Sequence, residues 1–162
     1  MNSPKVNDIF KYDFNFSKEA ILAYAEISGD CNPIHVSESY SENTIFGRCI
    51  VHGYYSISVF SKVYGTLLYP EEHILISQNA KYIKPIFTDV EYVAVFTIKK
   101  LFPEKNRVLY VNEIFEKKTG ELKIIGEAIL MNKKHYNWDK GFDFIKSFLN
   151  IIKINTKQIM FE

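Results

Sequence analysis

The fold depends on one stretch of sequence, Gly53-Tyr54-Tyr55-Ser56-Ile57-Ser58-Val59-Phe60-Ser61-Lys62-Val63-Tyr64-Gly65-Thr66-Leu67-Leu68. On a helix its side chains are apolar or small nearly all the way round, and Lys62 carries its one charge. A helix with this pattern is buried on most of its sides. The stretch is shorter than the roughly 20 apolar residues that a membrane span requires. We therefore predict a helix that is wrapped by a sheet.

The segments on both sides of this stretch predict the sheet. Aromatic residues alternate with polar ones from Phe10 to Phe16, which is the period of a strand with one buried face. Ser17 can cap a following helix that ends near Ser28, where Gly29 can adopt the positive φ of a C-cap. Four further strands are predicted at 74–83, 90–101, 107–117 and 122–131. Two helices and about five strands indicate an α+β domain.

The composition of the chain changes after Met131. A polar stretch, 132–135, is followed by apolar residues at helical spacing from Phe142 to Ile152, which predicts an added amphipathic helix. We therefore divide the 162 residues into a domain, 1–131, and a C-terminal helical extension, 132–162. The extension is interpreted as a cover for an exposed part of the domain, with binding of a partner as the alternative.

Composition and cysteine count argue against several classes of protein. The formal charge of +1 leaves no basic surplus for a nucleic-acid partner. Cys31 and Cys49 are too few for a disulfide framework or a zinc cluster, so we interpret both as reduced thiols in a cytoplasmic protein. The N-terminus has no apolar run behind a basic start, and no stretch is long enough for a membrane span. We expect neither secretion nor membrane insertion.

The loop after the first helix carries the residues best suited to chemistry. Asp30 and His35 lie five residues apart. Pro33 lacks an N–H and favours extended geometry at Asn32, so we expect no regular helix here. A turn at this point could bring the carboxylate and the imidazole to one water, which suits general acid–base catalysis near neutral pH. The alternative is a structural role, because Asp and Asn are common turn formers.

The sequence Ile50-Val51-His52-Gly53 leads into the buried helix. The backbone N–H of Gly53 would lie at the positive end of that helix with no side chain in the way, which suits a developing oxyanion. The alternative for Gly53 is a close packing contact. For His52 we favour a cap or a supporting hydrogen bond over direct chemistry.

These residues together resemble a known family. The motif Tyr24-Ala25-Glu26-Ile27-Ser28-Gly29-Asp30-Cys31-Asn32-Pro33-Ile34-His35, followed by Phe46 and Ile50-Val51-His52-Gly53, strongly resembles that of the MaoC-like, (R)-specific enoyl-CoA hydratases. The resemblance covers about residues 6–131 and leaves out the C-terminal tail. It implies the hot-dog fold, in which a curved antiparallel sheet wraps around one long helix. It also implies a homodimer whose sheets join edge to edge, with active sites near the interface.

The resemblance further implies a hydro-lyase reaction, the reversible syn addition of water to a trans-2-enoyl thioester, which gives the (R)-3-hydroxyacyl thioester. Asp30 and His35 would hold and deprotonate the water, and Gly53 N–H would bind the thioester oxygen. No metal or redox cofactor is implied, and coenzyme A or phosphopantetheine would enter as part of the substrate. Residues expected to support the site or bind substrate are Asn32, His52, Tyr54, Ser61 and Gln78.

Three features depart from the family pattern. Ser37 stands where Asp is common, and Thr88 stands where Gly is common before Asp89. We expect these two to affect loop geometry only. The bulky pair Tyr54-Tyr55 follows the oxyanion position directly, and its rings could shorten the acyl pocket or favour an oxygenated chain.

The acyl carrier and the reaction class each have alternatives. Arg48, Lys81 and Lys84 could contact the phosphates of coenzyme A or an acidic acyl carrier protein, or they could be merely solvated. A carrier-bound substrate would make this a 3-hydroxyacyl-acyl-carrier-protein dehydratase of fatty-acid or polyketide assembly. A thioesterase is a further alternative, since one fold can host several reactions. The last is a non-catalytic subunit that binds acyl thioesters.

Overall fold

The computed structural model describes residues 4–68, 73–132 and 159–161. The helices among these residues are α1 Lys18–Ser28, α2 Pro33–Val36, α3 Glu38–Ser41 and α4 Gly53–Lys62. The strands are β1 Ile9–Phe14, β2 Ile74–Gln78, β3 Lys81–Tyr82, β4 Tyr92–Phe102, β5 Arg107–Glu116, β6 Leu122–Met131 and β7 Ile159–Phe161. They form one antiparallel sheet in the order β2-β6-β5-β4-β1-β7, and β3 also pairs with β6.

The predicted central helix is present as α4, which continues as a π-helical turn over Val63–Leu68. Its buried face packs on the inner face of the sheet: the Phe60 ring lies 5.6 Å from that of Phe96, and Tyr64 lies 5.1 Å from Tyr110. The prediction that this helix is buried on most of its sides is wrong for one face of α4. Tyr54, Ser61 and Lys62 are exposed, because the sheet covers one side of the helix only. None of the described helices is long and apolar enough to cross a membrane.

The caps predicted for the first helix are confirmed. The Ser17 side chain accepts a hydrogen bond from the backbone N–H of Ala20 at 3.2 Å, and Gly29 has φ 75°. The loop that follows differs from its prediction. Asn32 caps the short helix α2 by accepting from the N–H of Ile34, and Pro33 occupies the first helical position. A proline is tolerated there because an N–H at that position has no partner within the helix.

The strand predicted at 74–83 is interrupted at 79–80 and forms β2 and β3. The interruption packs closely against Gly126 on β6. A Cβ atom at Gly126 would lie 2.1 Å from the carbonyl oxygen of Asn79, so the close packing depends on the absence of a side chain there. Asn79 also exchanges two hydrogen bonds with Glu127: its N–H donates to the Glu127 carbonyl, and its side-chain oxygen accepts from the Glu127 N–H. The break therefore has a fixed conformation, and it sets the position of β3.

The C-terminal helix predicted at 142–152 lies outside the described residues. The last part of the predicted helical extension is instead a strand, because β7 pairs with β1 in the register Phe10↔Phe161, Lys11↔Met160 and Tyr12↔Ile159. The chain therefore returns to the domain and covers the outer edge of β1.

Candidate active site

Hydrogen bonds join the loop after α1 to the segment that leads into α4. The His52 ring donates from Nε2 to the backbone carbonyl of Asp30 at 2.9 Å. Nδ1 of His35 lies 2.8 Å from the carbonyl oxygen of Ile50, and the N–H of Ile50 donates to the carbonyl of Ile34. A carbonyl oxygen only accepts, so these contacts place a hydrogen on Nε2 of His52 and on Nδ1 of His35.

The structure brings the predicted pair together and adds His52 to it. Asp30, His35 and His52 each offer a side-chain atom that lies within 4.8 Å of the other two. The two imidazole rings stack with centroids 3.9 Å apart and planes inclined by 30°. Asp30 is exposed, His35 is half-buried and His52 is buried. His52 is thus the most buried of the three and bonds to the backbone of Asp30, and its supporting role stays a prediction.

Asn32 organises the loop from two of its atoms. Its backbone N–H donates to a carboxylate oxygen of Asp30 at 3.3 Å, while its side-chain oxygen caps α2. His35 lies on that helix, so Asn32 helps to position both the Asp30 carboxylate and the His35 imidazole. The predicted supporting role of Asn32 therefore has a concrete form, which is to position the pair.

The hydrogen-bond pattern defines what the pair can do. With its Nδ1 hydrogen directed at Ile50, a neutral His35 has a lone pair on Nε2 that can accept a proton from water. The Asp30 carboxylate can accept the second hydrogen of the same water. Asp30, His35 and His52 also comprise donor types that divalent transition metals bind.

Gly53 begins α4, and its N–H is one of the four at a helix start that lack a partner within the helix. The N-cap residue, His52, makes no side-chain capping bond, so the positive end of the helix is available to a ligand. A Cβ on Gly53 would meet the Tyr82 ring, with Cζ at 3.3 Å and the hydroxyl oxygen at 3.5 Å. The close packing contact at this glycine is therefore present, and its role as an oxyanion donor stays a prediction.

A cavity of about 330 Å³ lies between the start of α4 and the segment 82–86. Its polar lining residues are His35, Gly53, Ser56, Tyr82 and Lys84. Its remaining wall is largely apolar, which suits an acyl chain whose carbonyl is held at one end. The apolar lining residues are Phe46, Ile50, Val51, Ile83, Pro85 and Ile86.

Neither Asp30 nor any residue predicted to support the site lines this cavity. Asn32 and His52 bond to the loop that carries the pair, whereas Ser61 and Gln78 lie elsewhere. Ser61 is exposed on α4, eight residues after Gly53 and therefore about 12 Å along the helix axis. Gln78 belongs to a polar network in the core, where its side-chain oxygen accepts from Asn112 at 3.3 Å. Asn112 in turn accepts from the Tyr64 hydroxyl. Within one chain these interactions give Gln78 a structural role.

The cations predicted to contact a carrier have different surroundings. Arg48 donates to the carbonyl of Thr88 at 2.8 Å and lies over the Phe87 ring, so its charge is engaged within the domain. Lys84 is exposed at the edge of the cavity and pairs with Glu121 at 3.5 Å. Lys81 is exposed on β3. Lys81 is therefore better placed than the other two cations for a phosphate or an acidic surface.

The unusual residues in the loops have local explanations. The Ser37 hydroxyl accepts from the N–H of Tyr40 and caps α3, a role that Asp could also fill. At the turn before β4 the positive φ of 57° falls on Asp89, so position 88 needs no glycine. Both departures affect loop geometry, as the sequence predicted.

Two tyrosines near the pair were not predicted from the sequence. Tyr24 on α1 lies 5.0 Å from His52, between ring centroids, and Tyr82 covers Gly53. Burial raises the pKa of Tyr82, and the neighbouring phenols of Tyr54 and Tyr24 raise it further. Tyr54 itself is 81% exposed, so any contact that it makes with substrate would be at the surface of the site.

Comparison with known proteins identifies the family. The family model of the MaoC like domain matches residues 3–113. An (R)-specific enoyl-CoA hydratase of Rhodospirillum rubrum is 34% identical over 115 residues, which are 71% of this chain and 78% of that protein. A 3-hydroxybutyryl-CoA dehydratase of Methylorubrum extorquens is 38% identical over 92 residues, but this match spans only 58% of that protein and 56% of this chain.

A solved structure, the (R)-hydratase from A. caviae involved in PHA biosynthesis, superposes with a TM-score of 0.75 at 29% identity. The match covers 81% of this chain and 98% of that one. The predicted hot-dog fold is thereby confirmed, as is the resemblance that implied it. A motif, a fold and a family model thus agree, and this chain belongs to the MaoC-like domain family.

Proposed function

We propose that this protein is an (R)-specific enoyl-thioester hydratase, a hydro-lyase that adds water reversibly across the double bond of a trans-2-enoyl-CoA. The observation that carries the proposal is the convergence of Asp30 and His35 beside the cavity that Gly53 lines. The names of the curated relatives support the same class of reaction. Relatives named for coenzyme A and for acyl-carrier-protein substrates both match, and we propose coenzyme A because the relatives named for it are the more similar in sequence.

The reaction follows from the positions of these groups. Asp30 and His35 hold a water at C3 of the enoyl group, and Nε2 of His35 takes its proton as the C3–O bond forms. The electron pair of the double bond moves toward the thioester, whose oxygen gains negative charge. The Gly53 N–H and the start of α4 stabilise that charge. The proton is then delivered to C2 from the same face, which makes the addition syn.

The assay is the loss of enoyl-thioester absorbance with crotonyl-CoA, combined with chiral analysis of the product. The expected product is (R)-3-hydroxybutyryl-CoA. Release of free thiol would replace the proposal with a thioesterase, and turnover restricted to enoyl groups on acyl carrier protein would favour the dehydratase of fatty-acid or polyketide assembly. Binding of crotonyl-CoA without any turnover would indicate a non-catalytic subunit.

The proposed step requires proton transfer only, so we propose no metal or redox cofactor. Incubation with EDTA followed by desalting is expected to leave the hydration rate unchanged within about twofold. The measurement is the initial rate with crotonyl-CoA before and after treatment. Loss of the rate, with recovery on adding Zn²⁺, would instead show that the trio Asp30, His35 and His52 holds an ion that the reaction needs.

The partner we infer is a second copy of this chain, joined through β2. This strand lies at one edge of the sheet, and its residues Ile74, Leu75 and Ile76 are 50%, 53% and 41% exposed. An exposed apolar edge strand is a template for pairing with another chain. The cavity lies close to this edge of the sheet. Tyr82 lines the cavity and belongs to β3, which follows β2 directly in the chain.

Leu75→Lys is expected to convert the dimer into a monomer, since a charge on the edge strand disfavours pairing. Val6→Lys is the matched control, because Val6 is 49% exposed but precedes β1 at the other side of the sheet. Light scattering coupled to gel filtration measures the mass of each protein. A dimeric Leu75→Lys variant, or a monomeric wild type, would refute this interface.

A cytoplasmic location is part of the proposal and rests on the cysteines. Cys31 is exposed and Cys49 is buried, and both are free thiols. Free thiols are typical of reducing compartments.

A further inference from the structure

Tyr82 occupies a defined position beside the predicted oxyanion donor. Its ring lies against Gly53, with the hydroxyl oxygen 3.5 Å from the point where a Cβ of Gly53 would stand. It lines the same cavity as His35 and Gly53. The hydroxyl therefore lies near the start of α4, which is where a ligand of the Gly53 N–H would bind.

The backbone holds Tyr82 in this position. β3 pairs with β6 so that Tyr82 lies opposite Ile124, and the next residue, Ile83, donates its N–H to the carbonyl of Lys123 at 2.8 Å. The preceding break at 79–80 is fixed by its contact with Gly126. The backbone is therefore fixed on both sides of Tyr82, which suits a preorganised role.

The hydroxyl of Tyr82 is available to a ligand. None of the described residues forms a hydrogen bond with it, although the side chain is only 48% exposed. Burial and the nearby phenols of Tyr54 and Tyr24 raise its pKa, so the group stays protonated and remains a donor at neutral and mildly alkaline pH. A phenol that keeps its proton can donate one hydrogen bond without taking part in proton transfer.

An oxyanion is stabilised best by more than one donor, and Gly53 supplies one N–H. We propose that the Tyr82 hydroxyl donates a second hydrogen bond to the thioester oxygen of the substrate. This inference rests on the proposed hydratase function and adds a catalytic residue to it. The proton stays on Tyr82 throughout, and the bond strengthens as negative charge develops on the thioester oxygen.

Tyr82→Phe tests the inference by removing one oxygen and keeping the ring. We expect kcat for crotonyl-CoA to fall about 10- to 100-fold, somewhat less than for a fully enclosed oxyanion donor, with KM changed by less than about threefold. Tyr40→Phe is the matched control, because Tyr40 lies exposed on α3, lines none of the described cavities and is expected to leave the rate unchanged. Full activity of Tyr82→Phe would overturn the inference.

A spectroscopic measurement separates this inference from the proposed function. In the Asp30→Asn background, a conjugated enoyl thioester such as cinnamoyl-CoA should bind without being hydrated. Donors at its carbonyl oxygen shift its absorbance to longer wavelength, and we expect adding Tyr82→Phe to reduce that shift. An undiminished shift would overturn the role of Tyr82 and leave the hydratase intact. If the wild-type protein hydrated no enoyl thioester, the proposed function itself would fail.

Discussion

Asp30→Asn is expected to lower kcat for crotonyl-CoA hydration by about 10³- to 10⁴-fold in a folded protein, at the upper end of what general acid–base groups contribute. The substitution keeps an oxygen that can accept from the Asn32 N–H, so the loop retains its conformation. What is lost is the negative charge that accepts a hydrogen of the water. The measurement is steady-state kinetics, with circular dichroism to verify folding.

Two further variants complete this experiment. His35→Gln removes the nitrogen that takes the proton and should cause a loss of similar size. Glu26→Gln neutralises an exposed carboxylate on α1 and should have no effect on kcat, because Glu26 lies outside the site. Wild-type rates in both Asp30→Asn and His35→Gln would rule out this pair as the catalytic machinery.

Gly126→Ala is expected to lower the free energy of unfolding by about 3 kcal/mol or more, or to prevent folding. The added methyl group would overlap the Asn79 carbonyl at 2.1 Å and approach Cα of Ala80 at 3.0 Å. Both contacts are backbone atoms, which cannot move aside as a flexible side chain can. Relief requires displacing the break between β2 and β3, and with it the two hydrogen bonds that join Asn79 to Glu127.

Gly65→Ala is the matched control for this substitution. A Cβ at Gly65 meets nothing within 4 Å and the residue has no positive φ, so a change within about 1 kcal/mol is expected. Urea unfolding at one protein concentration measures both variants, because the stability of the proposed dimer would depend on concentration. Equal midpoints for Gly126→Ala and wild type would show that the sheet can relax around the methyl group.

The parts of the fold that local sequence determines could be predicted. The central helix follows from its small and apolar residues, and the limits of α1 follow from Ser17 and Gly29. The proximity of Asp30 and His35 follows from the turn between them. In each case the residues that determine the structure are neighbours in the chain.

The rest depends on contacts between distant residues. The sequence pattern of 74–83 predicts one strand. The interruption of this strand packs against Gly126, which is more than 40 residues away in the chain. Tyr82 reaches Gly53 only because of that interruption, so no local pattern could have predicted it. The helical turn at Pro33 had a local signal, the Asn-Pro pair as N-cap and first residue, which was interpreted as a break instead.

The strand β7 has a consequence for how many copies can associate. A sheet with two open edges can add chains indefinitely and form fibres. Here the end of the chain occupies one edge, and β2 leaves the other open. Two copies that meet through β2 would present only the three-residue β7 at each end of the joint sheet. In the proposed dimer, β7 would thus protect β1 from pairing with a further copy.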